Sequence, residues 1–163
     1  MIKTNNLIYM KIKIKPYQPQ NAEKLHEIFY TSVHRVAAAY YTEKQLEAWA
    51  PDSYEREQWQ NKMDSLKPFI AYIDEEIVGY ADLQDDGYID HFFVAKPHYG
   101  IGSALMNKIF EVANTKNINK LWSHVSLSAE EFFKNHQFEI IERREVIVKG
   151  VLLHNAMMVR LAL

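Results

Sequence analysis

Cysteine is absent from this chain, which excludes a disulfide framework, thiolate metal sites and a cysteine nucleophile. Glycine and proline are scarce, five of each, so the breaks between elements should be few and clear. No excess of one charge sign exists either. The 19 basic residues face 21 acidic ones, a net charge of −2, which leaves no global positive field for a nucleic-acid backbone. No apolar run approaches the roughly 18 residues that a membrane crossing needs. The first residues, MIKTNNLIYM, carry one lysine and no apolar h-region, so they do not read as a signal peptide. A cytoplasmic protein without nucleic-acid or membrane partners is expected. The seven histidines form no His-x-His or His-x-x-x-His pair, so no metal site is expected. No Gly-x-Ser-x-Gly is present to signal a hydrolase nucleophile.

What is present is an ordinary globular composition, 163 residues with 48% apolar and 25% charged side chains. That length predicts one domain, 1–163, able to bury a core without staples. Residues 1–9 read as a flexible extension. Strand-like sequence begins at Met10, a second candidate start, and Met10–Lys15 alternates with Ile12 and Ile14 on one face. Asn21 is placed to cap a helix carrying Leu25, Ile28, Phe29, Val33 and Val36 at helical spacing. Thr42 opens a second helix, closed by Pro51, and Tyr54–Leu66 reads as a third.

The period then changes. Pro68–Ile73 and Ile77–Leu83 read as a hairpin around Asp74-Glu75-Glu76, Asp85-Asp86-Gly87 as a turn, and Tyr88–Ala95 as one strand. A helix follows from Gly100 to about Thr115, then a strand at Leu121–Val125 and a short helix at Ser128–Asn135. Two last strands, Phe138–Val148 and Val151–Leu161, flank Lys149-Gly150. The order predicts an α/β fold: a mixed, mostly antiparallel central sheet with helices on both faces, without the βαβαβ repetition of a doubly wound nucleotide fold.

One segment carries chemistry. Phe92-Phe93-Val94-Ala95-Lys96-Pro97-His98-Tyr99-Gly100-Ile101-Gly102-Ser103-Ala104-Leu105 joins a strand to a helix through a glycine-containing turn. Free N–H groups at a helix N-terminus form an anion site, and glycine admits a phosphate to the backbone; a tight turn that needs glycine is the alternative. It is neither a Walker loop nor the longer dinucleotide fingerprint.

This segment and the element order resemble the GNAT superfamily of N-acetyltransferases, whose signature is Gln/Arg-x-x-Gly-x-Gly/Ala after the fourth strand. Three further stretches resemble one bacterial branch of small GNAT proteins: Glu47-Ala48-Trp49-Ala50-Pro51, Ile89-Asp90-His91-Phe92-Phe93-Val94, and Ser128-Ala129-Glu130-Glu131-Phe132-Phe133 with Phe138 beyond it. The resemblance covers residues 10–161 and departs from the signature at its Gln/Arg position. Registered on Gly102-Ser103-Ala104, the signature puts Tyr99 at the Gln/Arg position. Registered on Gly100-Ile101-Gly102, it puts Pro97 there and shortens the loop by two residues.

The resemblance implies the GNAT acyl-CoA N-acyltransferase fold and transfer of acetyl from acetyl-CoA to a primary amine, with a small-molecule acceptor first and a protein N-terminus or lysine second. It implies that the main chain of Phe92, Phe93 and Val94 holds the pantetheine arm and that the amides of Tyr99, Gly100, Ile101, Gly102, Ser103 and Ala104 hold the pyrophosphate. Ser126 stands where the family often has Asn, beside pantetheine. Phe133 stands at the family's tyrosine general acid and has no hydroxyl. For the base, the family positions are Asp90 and Tyr88, and strand parity puts them on one face with Phe92 and Val94, turning His91 away. Asp90 as a turn cap or structural ion partner remains the alternative. His34, Tyr41 and Trp49 are expected on the acceptor side, against core packing as the other outcome. The apolar final strand predicts a two-fold dimer through the C-terminal strands. A CoA-binding sensor or interaction module with weak catalysis is the competing function.

Overall fold

The computed structural model describes residues 11–161. The expected extension at 1–9 and the candidate start at Met10 lie outside the described residues. None of the described helices is long and apolar enough to cross a membrane.

The described residues begin with strand β1, Ile12–Pro16, and turn through Pro19–Asn21 into helix α1, Ala22–Val36. Leu25, Ile28, Phe29 and Val33 form its buried stripe, as their spacing predicts. Asn21 does not cap α1: its side-chain oxygen accepts the Gln18 N–H at 2.8 Å and closes the preceding turn instead. Helix α2, Glu43–Trp49, has the expected start. Thr42 Oγ1 accepts the Gln45 N–H at 3.2 Å while Gln45 Oε1 accepts the Thr42 N–H at 2.9 Å, a reciprocal cap. Helix α3, Arg56–Leu66, begins two residues later than read, with Tyr54 outside it and stacked on His26 at 3.4 Å.

Strands β2, Phe69–Ile73, and β3, Glu76–Ala81, form a hairpin whose two turn residues, Asp74 and Glu75, are both left-handed, the backbone of a tight twisted turn. The expected strand at Tyr88–Ala95 is two strands: β4, Tyr88–Ile89, and β5, Phe92–Val94. Helix α4, Ile101–Thr115, strand β6, Lys120–Ser126, helix α5, Glu130–Asn135, and strands β7, Glu139–Val148, and β8, Val151–Leu161, complete the chain.

Among the described residues the strands form two four-stranded sheets, β1-β2-β3-β5 and β4-β6-β8-β7, in which only the β4–β6 pair is parallel. Residues 88–94 therefore pass from one sheet to the other. One core lies under α4 and α5, where Leu105, Ile109, Val78, Ile89 and Phe138 pack together. The second lies under the first three helices and joins Leu25, Phe29 and Met63 to Ile70, Tyr80 and Leu153. Each such fully buried side chain stabilises the fold by roughly 1.5–3 kcal/mol relative to exposure.

Strand β8 is not an edge. It lies between β6 and β7, and its Leu153, Ala156 and Met158 are core. The free edge belongs to β7, where Ile141 and Ile147 are exposed. Of the apolar residues that suggested pairing through β8, Leu153 and Met158 are spent on the core, while Leu152 stays exposed.

Candidate active site

The break between β4 and β5 has one cause. Asp82, just past β3 and fully buried, turns its carboxylate toward the neighbouring segment that links β4 to β5. Oδ1 accepts the backbone N–H of Asp90 at 3.0 Å and of His91 at 2.6 Å, and Oδ2 accepts from Gln84 Nε2 at 2.6 Å. Two consecutive amides drawn to one oxygen are incompatible with a flat ladder, so the strand bulges. Burial pushes the Asp82 carboxyl up to about 6, with the His91 amide and Gln84 opposing that rise.

The bulge overturns the strand parity. Ile89 and Phe92, three residues apart, both pack into the α4 core, whereas Phe93 packs on the α1 side. Tyr88 and Asp90 do not share a face with Phe92 and Val94. His91 is not turned away: its ring lies among Phe29, Trp59, Tyr80 and Phe93, with Nδ1 3.0 Å from Tyr80 Oη. Burial pushes the His91 imidazole down to about 4, so it is neutral at physiological pH.

Past the bulge the sheets diverge. Ser123 Oγ, on β6, donates to the Ile89 carbonyl at 2.7 Å at the last point of contact. Beyond it β5 keeps only β3 as a partner. Asp82 N–H donates to the His91 carbonyl and Ala95 N–H to the Val78 carbonyl. By alternation the main-chain groups of Phe92 and Val94 point into the gap that β6 has left. This is an open strand edge suited to an extended amide-bearing chain.

A cavity of about 740 Å³ occupies the divergence. Asp90, His91, Phe92 and Phe93 line it from the bulged strand, and Ser126 and Phe133 from the β6–α5 side. Tyr41 and Trp49 line it from the helical side, where they had been expected. His34 is not among its lining residues: its Nε2 lies 2.7 Å from the Ala50 carbonyl, with the ring against Tyr30. His34, Glu47 and Asp52 hold donor atoms within 4.8 Å of one another, a juxtaposition that linear spacing did not reveal. Those atoms already have work: Asp52 accepts from the Tyr30 hydroxyl and Glu47 from the Asp52 N–H.

Asp90 sits between the two halves of the cavity. Its Oδ2 takes a hydrogen bond from Lys62 Nζ at 2.7 Å, and its Oδ1 lies 3.5 Å from Tyr88 Oη. Tyr88 is stacked on Trp122 outside the cavity lining, and its hydroxyl is also 3.4 Å from His124 Nδ1. Burial, followed by the charges of Asp90 and Asp82, pushes the Tyr88 phenol up to about 12. It is therefore a proton donor at neutral pH rather than a base. Phe133 is 3% exposed and packs edge-on against Phe92 and Phe138. The Ser126 hydroxyl is 3.0 Å from that of Ser128.

The glycine-containing segment forms a second region next to the cavity. His98 and Gly100 are left-handed, Tyr99 between them is exposed, and α4 starts at Ile101 with Gly100 as its N-cap. The first intrahelical bond runs from Ala104 N–H to the Gly100 carbonyl, so the amides of Ile101, Gly102 and Ser103 have no partner within the helix. Gly102 has a packing reason of its own: a Cβ there would stand 2.9 Å from the Phe132 ring. Free amides at the end of a 15-residue helix, adjoining an open strand edge, suit a ligand with a pyrophosphate at one end and an amide-bearing arm at the other. Acetyl-CoA has both.

Comparison with known proteins agrees. The profile described as an acetyltransferase (GNAT) domain matches residues 37–161. A curated Escherichia coli K12 protein, the uncharacterized N-acetyltransferase YafP, is 29% identical over 142 residues, covering 85% of this chain and 89% of its own. A GCN5-related N-acetyltransferase from Rhodopseudomonas palustris, also named a class-II aminotransferase, superposes with a TM-score of 0.88 at 26% identity, covering 92% of this chain and 95% of its own. The PaiA N-acetyltransferase of Thermoplasma acidophilum, solved with coenzyme A, shares the fold at a TM-score of 0.70 and 18% identity, covering 94% and 100% of the two chains. A matching profile over most of the chain, around a cleft built in this way, makes the protein a member of the GNAT acetyltransferase family.

Proposed function

We propose that this cleft transfers an acetyl group from acetyl-CoA to the primary amine of a small molecule by direct attack. The observation that carries the reading is the combination of three features: the open edge of β5, the free amides at the start of the helix that follows it, and the cavity between the sheets that Asp90 lines. Acetyl-CoA, when bound, supplies a thioester whose acyl carbon the amine attacks with loss of the CoA thiolate.

The chain's own residues then have these roles. The main-chain groups of Phe92 and Val94 align the arm, and the amides of Ile101, Gly102 and Ser103 take the phosphates. Asp90 receives the amine proton, directly or through one water. Lys62 holds the Asp90 carboxylate in place and is displaced or shared when a cationic amine arrives. The Tyr88 hydroxyl, held protonated, donates toward Asp90 Oδ1 and keeps that oxygen oriented. Phe133 supplies no proton to the leaving thiol, but a thiolate is already fairly stable, with a thiol pKa near about 8.5. The missing hydroxyl makes the enzyme a modest one rather than an inactive one.

The second reading, a CoA-binding module without efficient catalysis, draws on that same Phe133 and on the Lys62–Asp90 ion pair. A thiol-release assay over an amine panel, run beside acetyl-CoA calorimetry, separates the two. Amine-dependent thiol release supports the enzyme, whereas saturable binding with no acetylated product from any amine supports the module. For assembly, the reading places two-fold pairing along the free edge of β7.

A further inference from the structure

The helical side of the cavity is aromatic, with Phe29, Trp49, Tyr54 and Trp59 facing it, and Phe93 of β5 continues that surface. These rings form one connected layer. Phe29 is stacked with Trp59 at 5.4 Å and meets Phe93 edge-on at 5.0 Å, and Trp49 lies 6.2 Å from Phe93. Two polar tips near this layer are committed to the scaffold. Trp59 Nε1 donates to the Ala22 carbonyl at 2.7 Å, and the Tyr41 hydroxyl donates to the His154 carbonyl at 2.7 Å while accepting from Leu127 N–H at 3.0 Å. Much of what this wall offers a ligand is therefore ring surface rather than donors and acceptors.

The charges lining the cavity balance: Glu55 and Asp90 against Lys62 and Lys149. Lys62 and Asp90 neutralise each other at 2.7 Å. Burial lowers His26, His91 and His124 from their ordinary values, so these imidazoles add no positive charge at neutral pH. A polyamine or aminoglycoside would need several carboxylates for its several cations, and a phosphorylated or carboxylated acceptor would need an uncommitted cation. Among the described residues the cavity lacks the carboxylates for the first; for the second, Lys62 is committed to Asp90, which leaves only Lys149, in the β7–β8 turn, without an ionic partner. One carboxylate at the border between the aromatic wall and the acyl cleft suits one ammonium group.

Resting on the acetyl-transfer reading, we propose that the acceptor is an arylalkylamine: one primary amine at Asp90, joined by a short linker to a flat aromatic body laid against the surface that Phe29, Trp59 and Phe93 turn to the cavity. Ring-on-ring contact and the approach of the ammonium to aromatic faces then select it over aliphatic amines of equal length.

The test compares 2-phenylethylamine, hexylamine, spermidine and an alanine-initiated peptide at saturating acetyl-CoA. The expected result is a kcat/KM for 2-phenylethylamine at least about tenfold above each of the others, a difference within reach of pocket contacts. Phe29→Leu should shrink the preference for 2-phenylethylamine over hexylamine by about tenfold, with the KM for acetyl-CoA unchanged. Thermal shift gives a readout apart from turnover. In the presence of CoA, 2-phenylethylamine should add stabilisation that spermidine at equal concentration does not. Preferential acetylation of spermidine or the peptide would overturn the acceptor class while leaving acetyl transfer standing. Added stabilisation by 2-phenylethylamine with no acetylated product from any amine would overturn acetyl transfer and leave the aromatic-amine site standing. The absence of both stabilisation and acetylation with 2-phenylethylamine would overturn the proposal itself.

Discussion

Replacing Asp82 by Asn separates the shape of the bulge from its charge. The carboxyl of Asp82 is pushed from 3.8 up to about 6 in the folded chain. Between those values the folded state holds a proton that the unfolded state has released, so this residue's contribution to stability falls as pH rises from about 4 to 6. A rise of two units corresponds to about 3 kcal/mol lost by neutral pH. Asn keeps a carbonyl oxygen to accept both the Asp90 and His91 amides and carries no charge. A turned Gln84 amide can accept from its N–H group. Asp82→Asn should therefore match the wild type near about pH 4 and exceed it at neutral pH by up to about 3 kcal/mol, at about 2–4 °C of Tm per kcal/mol for a chain of this size. Asp82→Ala should instead be destabilised at every pH, because two buried amides lose their acceptor at about 1–3 kcal/mol each.

The wild-type curve alone will not show this. His91, held neutral with its value down at about 4, gains stability as pH rises over much of the same window, because there the unfolded state binds the extra proton. The two neighbours run in opposite directions, so the quantity to measure is the difference between variant and wild type in paired melts across pH. A difference that does not change with pH, or an Asn variant as unstable as the Ala one, would refute the account of the bulge.

Asp90→Asn should lower turnover by about 10²- to 10⁴-fold with little change in acetyl-CoA affinity by calorimetry. Ser103→Glu puts a negative charge in the first turn of α4; melts should show an intact fold, because acidic groups are favourable there, while the stabilisation by CoA disappears. Gly102→Glu should fail differently, losing stability without any ligand, because its Cβ meets Phe132 at 2.9 Å. If β7 pairs copies, light scattering at micromolar concentration should report about twice the 19.2 kDa chain mass, and Ile147→Lys should restore the single mass.

Most elements could be read from the sequence because their signals are local. The stripe of α1, the Thr42–Gln45 cap and the turn at Lys149-Gly150 each depend on neighbours a few residues away. The candidate site was legible where the strand-to-helix segment supplied it and where Tyr41 and Trp49 reached the cavity. It was not legible where a distant side chain decided the backbone. Alternation along Tyr88–Val94 assumes a regular strand, and nothing in those seven residues announces that Asp82 will draw two amides to one oxygen. The one signal was an aspartate inside an otherwise apolar run at the end of β3, a residue with a high cost of burial unless it is satisfied. His91 was turned to the wrong side by that assumption. Interior against edge position misled in the same way for β8, whose apolar side chains fill a core between two neighbours. His34 was drawn to the Ala50 carbonyl by a contact across 16 residues that no periodicity encodes.

The central claim is that the cleft around Asp90 joins an acetyl group from acetyl-CoA to an amine. Its most direct test is mass-spectrometric detection of the N-acetylated amine together with quantitation of released CoA thiol, in one reaction with purified protein. The account predicts one acetylated amine per thiol released, dependent on both substrates and lowered at least about a hundredfold by Asp90→Asn. Thiol release that is independent of the amine, or tight acetyl-CoA binding with no acetylated product from any amine class, would contradict it.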